Sequence, residues 1–258
     1  MAKRAWISSL AQTETDIKTL ISVLKQYGIE GHGHVWTDDP DKMAWMGPRE
    51  ELLKKETAMW IILASQETLQ TSSILFGLSL LALTVQAKRG AGFPILIITT
   101  RPPGSSGDLP TPLQNSSLMA LSDPSLGPKI VASAHVKKAQ GRRSYYCDVY
   151  GNPRIGQWFE VGPSGETWPG VLFAVSEGEI LYQAVGSRGI LPERSTLEYP
   201  YKGIKLELKG REYTAWACQN MLGGEDSYFV KVDGQPGSIL FGPFADNEEP
   251  ELFAVNLV

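Results

Sequence analysis

The stretch WIILAS at residues 60–65 decides the fold class of this chain. An unbroken apolar run is typical of a strand that is buried on both faces, and such strands occur mainly in parallel sheets. The run ends in the small polar residue Ser65, as expected where the carboxyl end of a parallel strand meets a ligand crevice. The stretch therefore predicts an α/β sheet with ligand-binding residues at its strand ends.

Strand-like and helix-like segments alternate around this stretch, from residue 3 to about residue 135. Residues 15–27 carry the i, i+3, i+4, i+7 spacing of an amphipathic helix, at Ile17, Leu20, Ile21 and Leu24. We expect strands at 4–8, 34–37, 59–64, 93–99 and 129–135, and helices at 15–27, 48–55, 71–87 and 113–121. This alternation favours right-handed crossovers and a five-stranded parallel sheet in the flavodoxin-like order.

The pattern changes after Lys137, where helical spacing disappears. Short alternating runs separated by glycine-containing turns predict an antiparallel barrel or sandwich. Strands are expected at 144–150, 157–161, 171–175, 179–185, 203–208, 213–218, 227–232, 238–241 and 251–256. Lys209-Gly210 is the clearest hairpin turn. We therefore expect an α/β domain at residues 1–135 and a mostly antiparallel β domain at 138–258.

The composition argues against several classes of function. The chain has 24 basic and 28 acidic residues and a net charge of −4, so it lacks the basic surface on which nucleic-acid binding depends. Cys147 and Cys218 form neither a metal-binding spacing nor a disulfide framework. Residues 74–85 are apolar but too few to span a bilayer, and no secretory signal is evident. We expect a cytoplasmic protein without nucleic-acid or membrane partners.

Candidate ligand-binding residues follow the predicted strands. Ser8, Ser9 and Ser65 come at the ends of two strands that should be adjacent, and helix N-termini at such an edge donate N–H groups to anions. Trp36 lies in the strand expected at 34–37 and Asp38 follows it, so both belong to the same expected edge. A nucleotide or phosphate is therefore the expected ligand, and the alternative is that small residues only permit tight turns.

The segment Gly31-His32-Gly33-His34 carries two imidazoles two residues apart. On a strand both would face one side and could bind a metal ion, but a third ligand is needed and the remaining histidine, His135, lies far along the chain. We therefore interpret His32 and His34 as exposed loop residues and expect no metal site.

A set of motif positions in residues 1–135 points to one family. Ser9 follows the first strand, Gly28 follows the first helix, and an acidic loop follows the second strand. Gly47 stands where a GxxxxxxI helix begins, and Ser65 and Leu69 match the start of a YLxSxWCxxE segment. In this pattern residues 1–135 resemble a Toll/interleukin-1 receptor (TIR) domain. The Trp, Cys and Glu of the last motif are missing.

The resemblance implies a chemistry that this chain is poorly equipped to perform. TIR enzymes cleave the nicotinamide–ribose bond of NAD, and a carboxylate near the ribose stabilises the developing oxocarbenium ion. The family's glutamate would fall close to Gly77, and glycine cannot supply a carboxylate. Glu67, about ten residues earlier, is the candidate catalytic replacement. Nucleoside deoxyribosyltransferase-like domains show similar strand ends, and there Asp38 and Glu67 would be the two acids.

The helix at residues 71–87 is apolar on nearly every face, so it needs covering on more than one side. The second domain or a second chain could cover it, and TIR-like domains commonly associate, so a homo-oligomer or another protein partner is expected. The favoured interpretation is a non-catalytic TIR-like assembly or nucleotide-sensing module that requires no cofactor. A nucleotide- or nucleoside-processing enzyme using Glu67 or an acid of the second domain, and a structural partner-binding protein, are the alternatives.

Overall fold

The computed structural model describes residues 3–10, 13–101, 106–135, 144–244 and 251–258. The chain divides into two compact units. The first comprises Met1–Pro40 and Ala44–Gln140, and the second comprises Gly141–Val258 together with Asp41–Met43.

The first unit contains a five-stranded, fully parallel sheet in the order β2-β1-β3-β4-β5, which confirms the flavodoxin-like prediction. Its strands are β1 (Lys3–Ser9), β2 (Ile29–Val35), β3 (Thr57–Ala64), β4 (Ile95–Thr99) and β5 (Ser117–Ala120). Its helices are α1 (Glu14–Gln26), α2 (Arg49–Leu53), α3 (Ser72–Arg89) and α4 (Leu126–His135).

Both faces of this sheet are buried. Leu20 and Leu24 of α1 and Ile130 of α4 pack with alternate residues of β1, β3 and β4 in one core. Trp60 and Ile62 of β3 point to the opposite face and are also fully buried. The run at residues 60–64 is apolar throughout because side chains on both faces of β3 are buried.

The last two elements of the first unit differ from the prediction. A helix at 113–121 and a strand at 129–135 are wrong, because β5 lies within the first segment and α4 covers the second. The β-branched pair Ile130-Val131 suggested a strand. Helical spacing instead lets Leu126 and Ile130 pack in the core with α1, and this tertiary contact outweighs local preference.

Strand β2 begins earlier than the predicted 34–37, so the interpretation of His32 and His34 as loop residues is also wrong. In the parallel register Gly33 lies opposite Ile7 and His34 opposite Ser8. A β-carbon on Gly33 would lie 2.2 Å from the carbonyl oxygen of Ile7, so this close approach of the two strands requires glycine.

Helix α3 is buried from Leu75 to Gln86. It packs against α2 and against three short 3-10 helices, Ala44–Met46, Thr68–Gln70 and Thr111–Leu113, all within the first unit. The single chain therefore encloses this helix, and its apolar surface no longer gives a reason to expect a second chain. Among the described residues, none of the helices combines the length and apolarity needed to cross a membrane.

The second unit is antiparallel and contains every one of the predicted strands. They are β6 (Tyr145–Asn152), β7 (Gly156–Pro163), β8 (Val171–Val175), β9 (Glu179–Ser187), β10 (Tyr201–Leu208), β11 (Arg211–Cys218), β12 (Asp226–Asp233), β13 (Ser238–Pro243) and β14 (Phe253–Asn256). They form a sheet β10-β11-β8-β13-β14 and a sheet β6-β7-β12-β9. Lys209 and Gly210 have φ of 51° and 76°, the left-handed pair that a type I′ hairpin requires.

Candidate functional site

The predicted ligand residues lie at the carboxyl edge of the parallel sheet. Ser9 ends β1, Trp36 follows β2 and Ser65 follows β3. The backbone N–H of Trp36 donates to the carbonyl oxygen of Ser9 at 2.8 Å, so these strand ends meet. With the order β2-β1-β3 the edge contains the topological switch point, where ligands of this fold class bind.

Two of the predicted serines are enclosed within the sheet. Ser8 is fully buried, and its Oγ accepts the indole N–H of Trp60 at 2.9 Å. Ser9 is only 2% exposed. The hydroxyl of Ser8 therefore satisfies a buried indole N–H, a role that strand-end position alone does not reveal.

Ser65 belongs to a tight turn at the end of β3. Its backbone N–H donates to Oγ1 of Thr68 at 3.0 Å, and that hydroxyl donates to the carbonyl oxygen of Ser65 at 2.9 Å. The N–H of Thr68 donates back to Oγ of Ser65 at 3.2 Å. Ser65 thus starts the short helix that leads to α3.

Glu67 lies in this turn with an exposed side chain. Its carboxylate is 3.6 Å from the guanidinium of Arg101. Hydrogen bonds from its own backbone N–H and from Ser65, with the charge of Arg101, hold the pKa of Glu67 below its ordinary value. The lowered pKa keeps Glu67 ionised near neutral pH, a state that suits electrostatic stabilisation of positive charge but not general-acid catalysis.

Two tryptophans pack closely against Gly77, the position where the TIR resemblance expects an acid. A β-carbon on Gly77 would lie 3.0 Å from Cζ2 of Trp36 and 3.2 Å from Cβ of Trp45. Trp36 approaches from the end of β2, and Trp45 comes from the segment before α2. A side chain at residue 77 would press on the Trp36 ring and on the β-carbon of Trp45, so tryptophan packing stands where the resemblance expects a carboxylate.

A hydrogen bond to Asp38 connects the loop after β2 with the start of α3. Its Oδ2 accepts a hydrogen bond from Oγ of Ser73 at 2.6 Å. Among the contacts of the described residues, none joins Asp38 to Glu67. The two acids therefore have separate partners, Ser73 and Arg101, and the structure does not pair them.

The ring of His34 lies between the aromatic rings of Trp6 and Trp36. Its ring centroid is 5.8 Å from that of Trp6 and 6.2 Å from that of Trp36. Burial lowers the pKa of His34, which favours the neutral imidazole. Within the described part of the chain, no three histidine, cysteine, aspartate or glutamate residues group to hold a metal ion.

The second unit contains two buried acids that the sequence reasoning did not single out. Asp148 of β6 lies directly opposite Glu160 of β7, and both are fully buried. Oε1 of Glu160 accepts the N–H of Gly189 at 2.7 Å, and Oε2 accepts the hydroxyl of Tyr150. Oδ1 of Asp148 accepts the N–H of Val149 at 2.8 Å.

Tyrosines accompany these carboxylates. The hydroxyl of Tyr146 donates to Oδ2 of Asp148 at 3.2 Å. Burial, together with the neighbouring carboxylates, raises the pKa of both Tyr146 and Tyr150, so both remain hydrogen-bond donors. The sequence signal was a polar residue at every second position of β6, which places Tyr146, Asp148 and Tyr150 on one face. The donors around both carboxylates indicate a structural network.

No protein-family model matches the chain, and no curated protein is significantly similar to it.

Proposed function

We propose that the first unit is a non-catalytic, TIR-like assembly or nucleotide-sensing module, with the β unit appended to it. The observation that carries this proposal is the packing of Trp36 and Trp45 against Gly77, where a TIR enzyme would present its glutamate. A crevice without that carboxylate lacks the group that stabilises positive charge on a ribose. The module would act in the cytoplasm and require no cofactor.

Support for a nucleotide ligand comes from the end of the sheet at which β1 and β3 terminate. The ends of β1 and β3 flank the topological switch point, where ligands of this fold class bind. The N-terminal dipole of α3 adds no separate support, because Asp38, bonded to Ser73 at 2.6 Å, already places a carboxylate there. A phosphate-bearing ligand at this edge would not meet the glutamate with which TIR enzymes cleave NAD.

The experiment that tests the proposal combines an activity assay with binding and mass measurements on the full chain. Incubation with NAD should release no nicotinamide above the buffer background. Calorimetry with ADP and with NAD, and analytical ultracentrifugation over a range of protein concentrations, test sensing and assembly. At least one of the two, saturable nucleotide binding or self-association, is expected.

Two outcomes would overturn the proposal. Release of nicotinamide that is lost in Glu67→Gln, but kept in Glu50→Gln at another exposed carboxylate, would establish the enzymatic alternative with Glu67 as its acid. A strictly monomeric protein that binds neither nucleotide would leave the structural partner-binding alternative.

A further inference from the structure

Strand β2 forms one edge of the parallel sheet. It is the terminal strand in the order β2-β1-β3-β4-β5, and within the described part of the chain it pairs only with β1. It has seven residues, whereas β5 at the opposite edge has four. Its sequence, IEGHGHV, contains neither lysine nor proline, the residues that commonly prevent a sheet edge from pairing with another strand. The edge formed by β2 therefore has the length and composition to accept a further strand.

The pairing with β1 shows which backbone groups of β2 face the open edge. The N–H of Trp36 donates to the carbonyl oxygen of Ser9 at 2.8 Å, so the polar backbone groups of Trp36 face β1. Because these groups alternate in direction along a strand, those of Val35, Gly33 and Gly31 face away from β1. Val35 is 69% exposed and Gly33 is exposed, so a partner has access to this edge. An added strand would form hydrogen bonds with these backbone groups.

The sequence of β2 is self-complementary when a second copy runs antiparallel to the first with His32 opposite itself. Gly31 then lies opposite Gly33, and Ile29 lies opposite Val35. These odd-numbered residues are the ones whose backbone groups face the open edge, so each pair can exchange both of its hydrogen bonds. The glycines meet without steric conflict, and at each end the exposed Val35 side chain of one copy meets Ile29 of the other. Both copies contribute the same surface, as a two-fold interface requires.

The polar side chains of β2 fit the same register. Glu30, His32 and His34 extend to one face of the strand, and the side chains of Glu30 and His32 are 63% and 53% exposed. Glu30 of each copy lies opposite His34 of the other, at a pair without backbone hydrogen bonds, where side chains approach most closely. A carboxylate thus meets an imidazole at both ends. Centring the pairing on Gly31 would instead place His34 opposite Gly28, outside the strand, so the register centred on His32 uses more of β2.

We propose that the chain forms a two-fold homodimer through its first unit, in which the two β2 strands pair antiparallel with His32 on the symmetry axis. The two five-stranded sheets then continue as one sheet. Because the pairing uses the β2 edge of both copies, the association closes at two chains. This inference rests on the assembly part of the proposed function and names the surface through which assembly takes place.

Cysteine cross-linking of the full chain tests the register directly. In the dimer the two Cα atoms of residue 32 lie about 4.5 Å apart, a separation that a disulfide can span. His32→Cys should therefore form a disulfide-linked dimer on mild oxidation. Glu30→Cys is the matched control on the same face, because its two Cα atoms would lie about 14 Å apart, too far for a disulfide. Cys147 and Cys218 are buried, so the wild-type chain should not cross-link.

Substitution of Val35 tests whether the β2 edge carries the association. Val35→Lys places a charge opposite Ile29 of the second copy and should weaken dimerisation at least about tenfold in analytical ultracentrifugation. Thr37→Lys, at an exposed position after the strand, adds the same charge and should leave the dissociation constant unchanged. Both positions are exposed, so circular dichroism should show that both variants keep the wild-type fold.

Three results would overturn this inference. If the wild-type chain remains monomeric, the dimer does not form, and the proposed function then depends on nucleotide binding alone. If the chain associates but His32→Cys and Glu30→Cys cross-link equally, the register centred on His32 is wrong. If Val35→Lys associates as strongly as Thr37→Lys, the β2 edge is not the interface. The last two results would leave the assembly part of the proposed function intact.

Discussion

Cζ2 of Trp36 lies 3.0 Å from the point that a β-carbon would occupy on Gly77, and Cβ of Trp45 lies 3.2 Å from the same point. These distances leave little room for a β-carbon at residue 77. An acidic side chain introduced there would therefore require both tryptophans to shift.

Gly77→Ala is expected to lower the free energy of unfolding by about 1 kcal/mol, because overpacking against Trp36 exceeds the gain in helix propensity. In a Trp36→Ala background the same change should become stabilising, by roughly 0.5 kcal/mol, since the ring no longer resists the added methyl. Urea unfolding of the four proteins in this double-mutant cycle measures the coupling. If Gly77→Ala changes the free energy of unfolding equally in both backgrounds, residue 77 and the Trp36 ring are not in tight contact.

Leu78→Asp is expected to unfold the first unit, because Leu78 is fully buried in α3 and a buried unpaired carboxylate adds to the lost packing. The cost should be roughly 4 kcal/mol or more. Circular dichroism should show the loss of helix. Ile21 of α1 is 40% exposed, so Ile21→Asp serves as the control. It should lower the free energy of unfolding by roughly 1 kcal/mol. A Leu78→Asp protein that keeps its helix signal and its stability would contradict the burial of Leu78 in the first unit.

Ser8→Ala removes the acceptor of the Trp60 indole N–H and should cost about 1–3 kcal/mol, the penalty of leaving a buried donor unpaired. Adding Trp60→Phe removes the donor as well. The double variant should therefore be more stable than the sum of the two single effects predicts, when all are compared by thermal and urea unfolding. Strict additivity would contradict the role assigned to Ser8.

Tyr150→Phe removes a donor to the buried carboxylate of Glu160 and should destabilise the second unit by about 1.5–3 kcal/mol. Tyr182→Phe, on β9 with a side chain 48% exposed, should change stability by less than about 0.5 kcal/mol. Urea unfolding measured by near-ultraviolet circular dichroism compares the two variants. If both variants lower the free energy of unfolding by similar amounts, the hydrogen bond between Tyr150 and Glu160 does not contribute specially to stability.

Asp123 should make the first unit sensitive to acid. Hydrogen bonds from Lys129 and Ser125 lower the pKa of Asp123 to about 2, from 3.8. Because the folded-state pKa is depressed, this stabilisation is complete above pH 3.8 and is lost as pH falls towards 2.

Asp123→Asn should therefore lower the melting temperature at pH 7, and the gap from wild type should narrow as pH is lowered to 3. A gap that stays constant with pH would mean that the charge of Asp123 contributes nothing.

Most of the fold could be predicted because its signals are local. Alternation and turn residues identify the strands of the second unit, and Lys209-Gly210 specifies its hairpin turn. The short strand β5 could not be predicted, since four residues are too few to show a period of two. Helix α4 was obscured by β-branched residues whose helical packing depends on α1, which is distant in sequence.

The candidate site was less predictable because its chemistry depends on distant contacts. The strand-end positions of Ser9 and Ser65 follow from the sequence, but the partner of Ser8 is a tryptophan 52 residues away. The pairing of Asp148 with Glu160 depends on the register of a hairpin, and a shift of one residue would place the two acids on opposite faces.

The strand orders of the sheets also determine when each unit can fold as the chain is synthesised. In the parallel sheet, β3 joins β1, and β4 and β5 then each add beside the strand made just before it. In the second unit, β8 pairs with β11 and β13, while β7 and β9 both pair with β12. These earlier strands keep open edges until the later ones leave the ribosome. The second unit therefore cannot complete either of its sheets until β12 and β13, near the end of the chain, have left the ribosome.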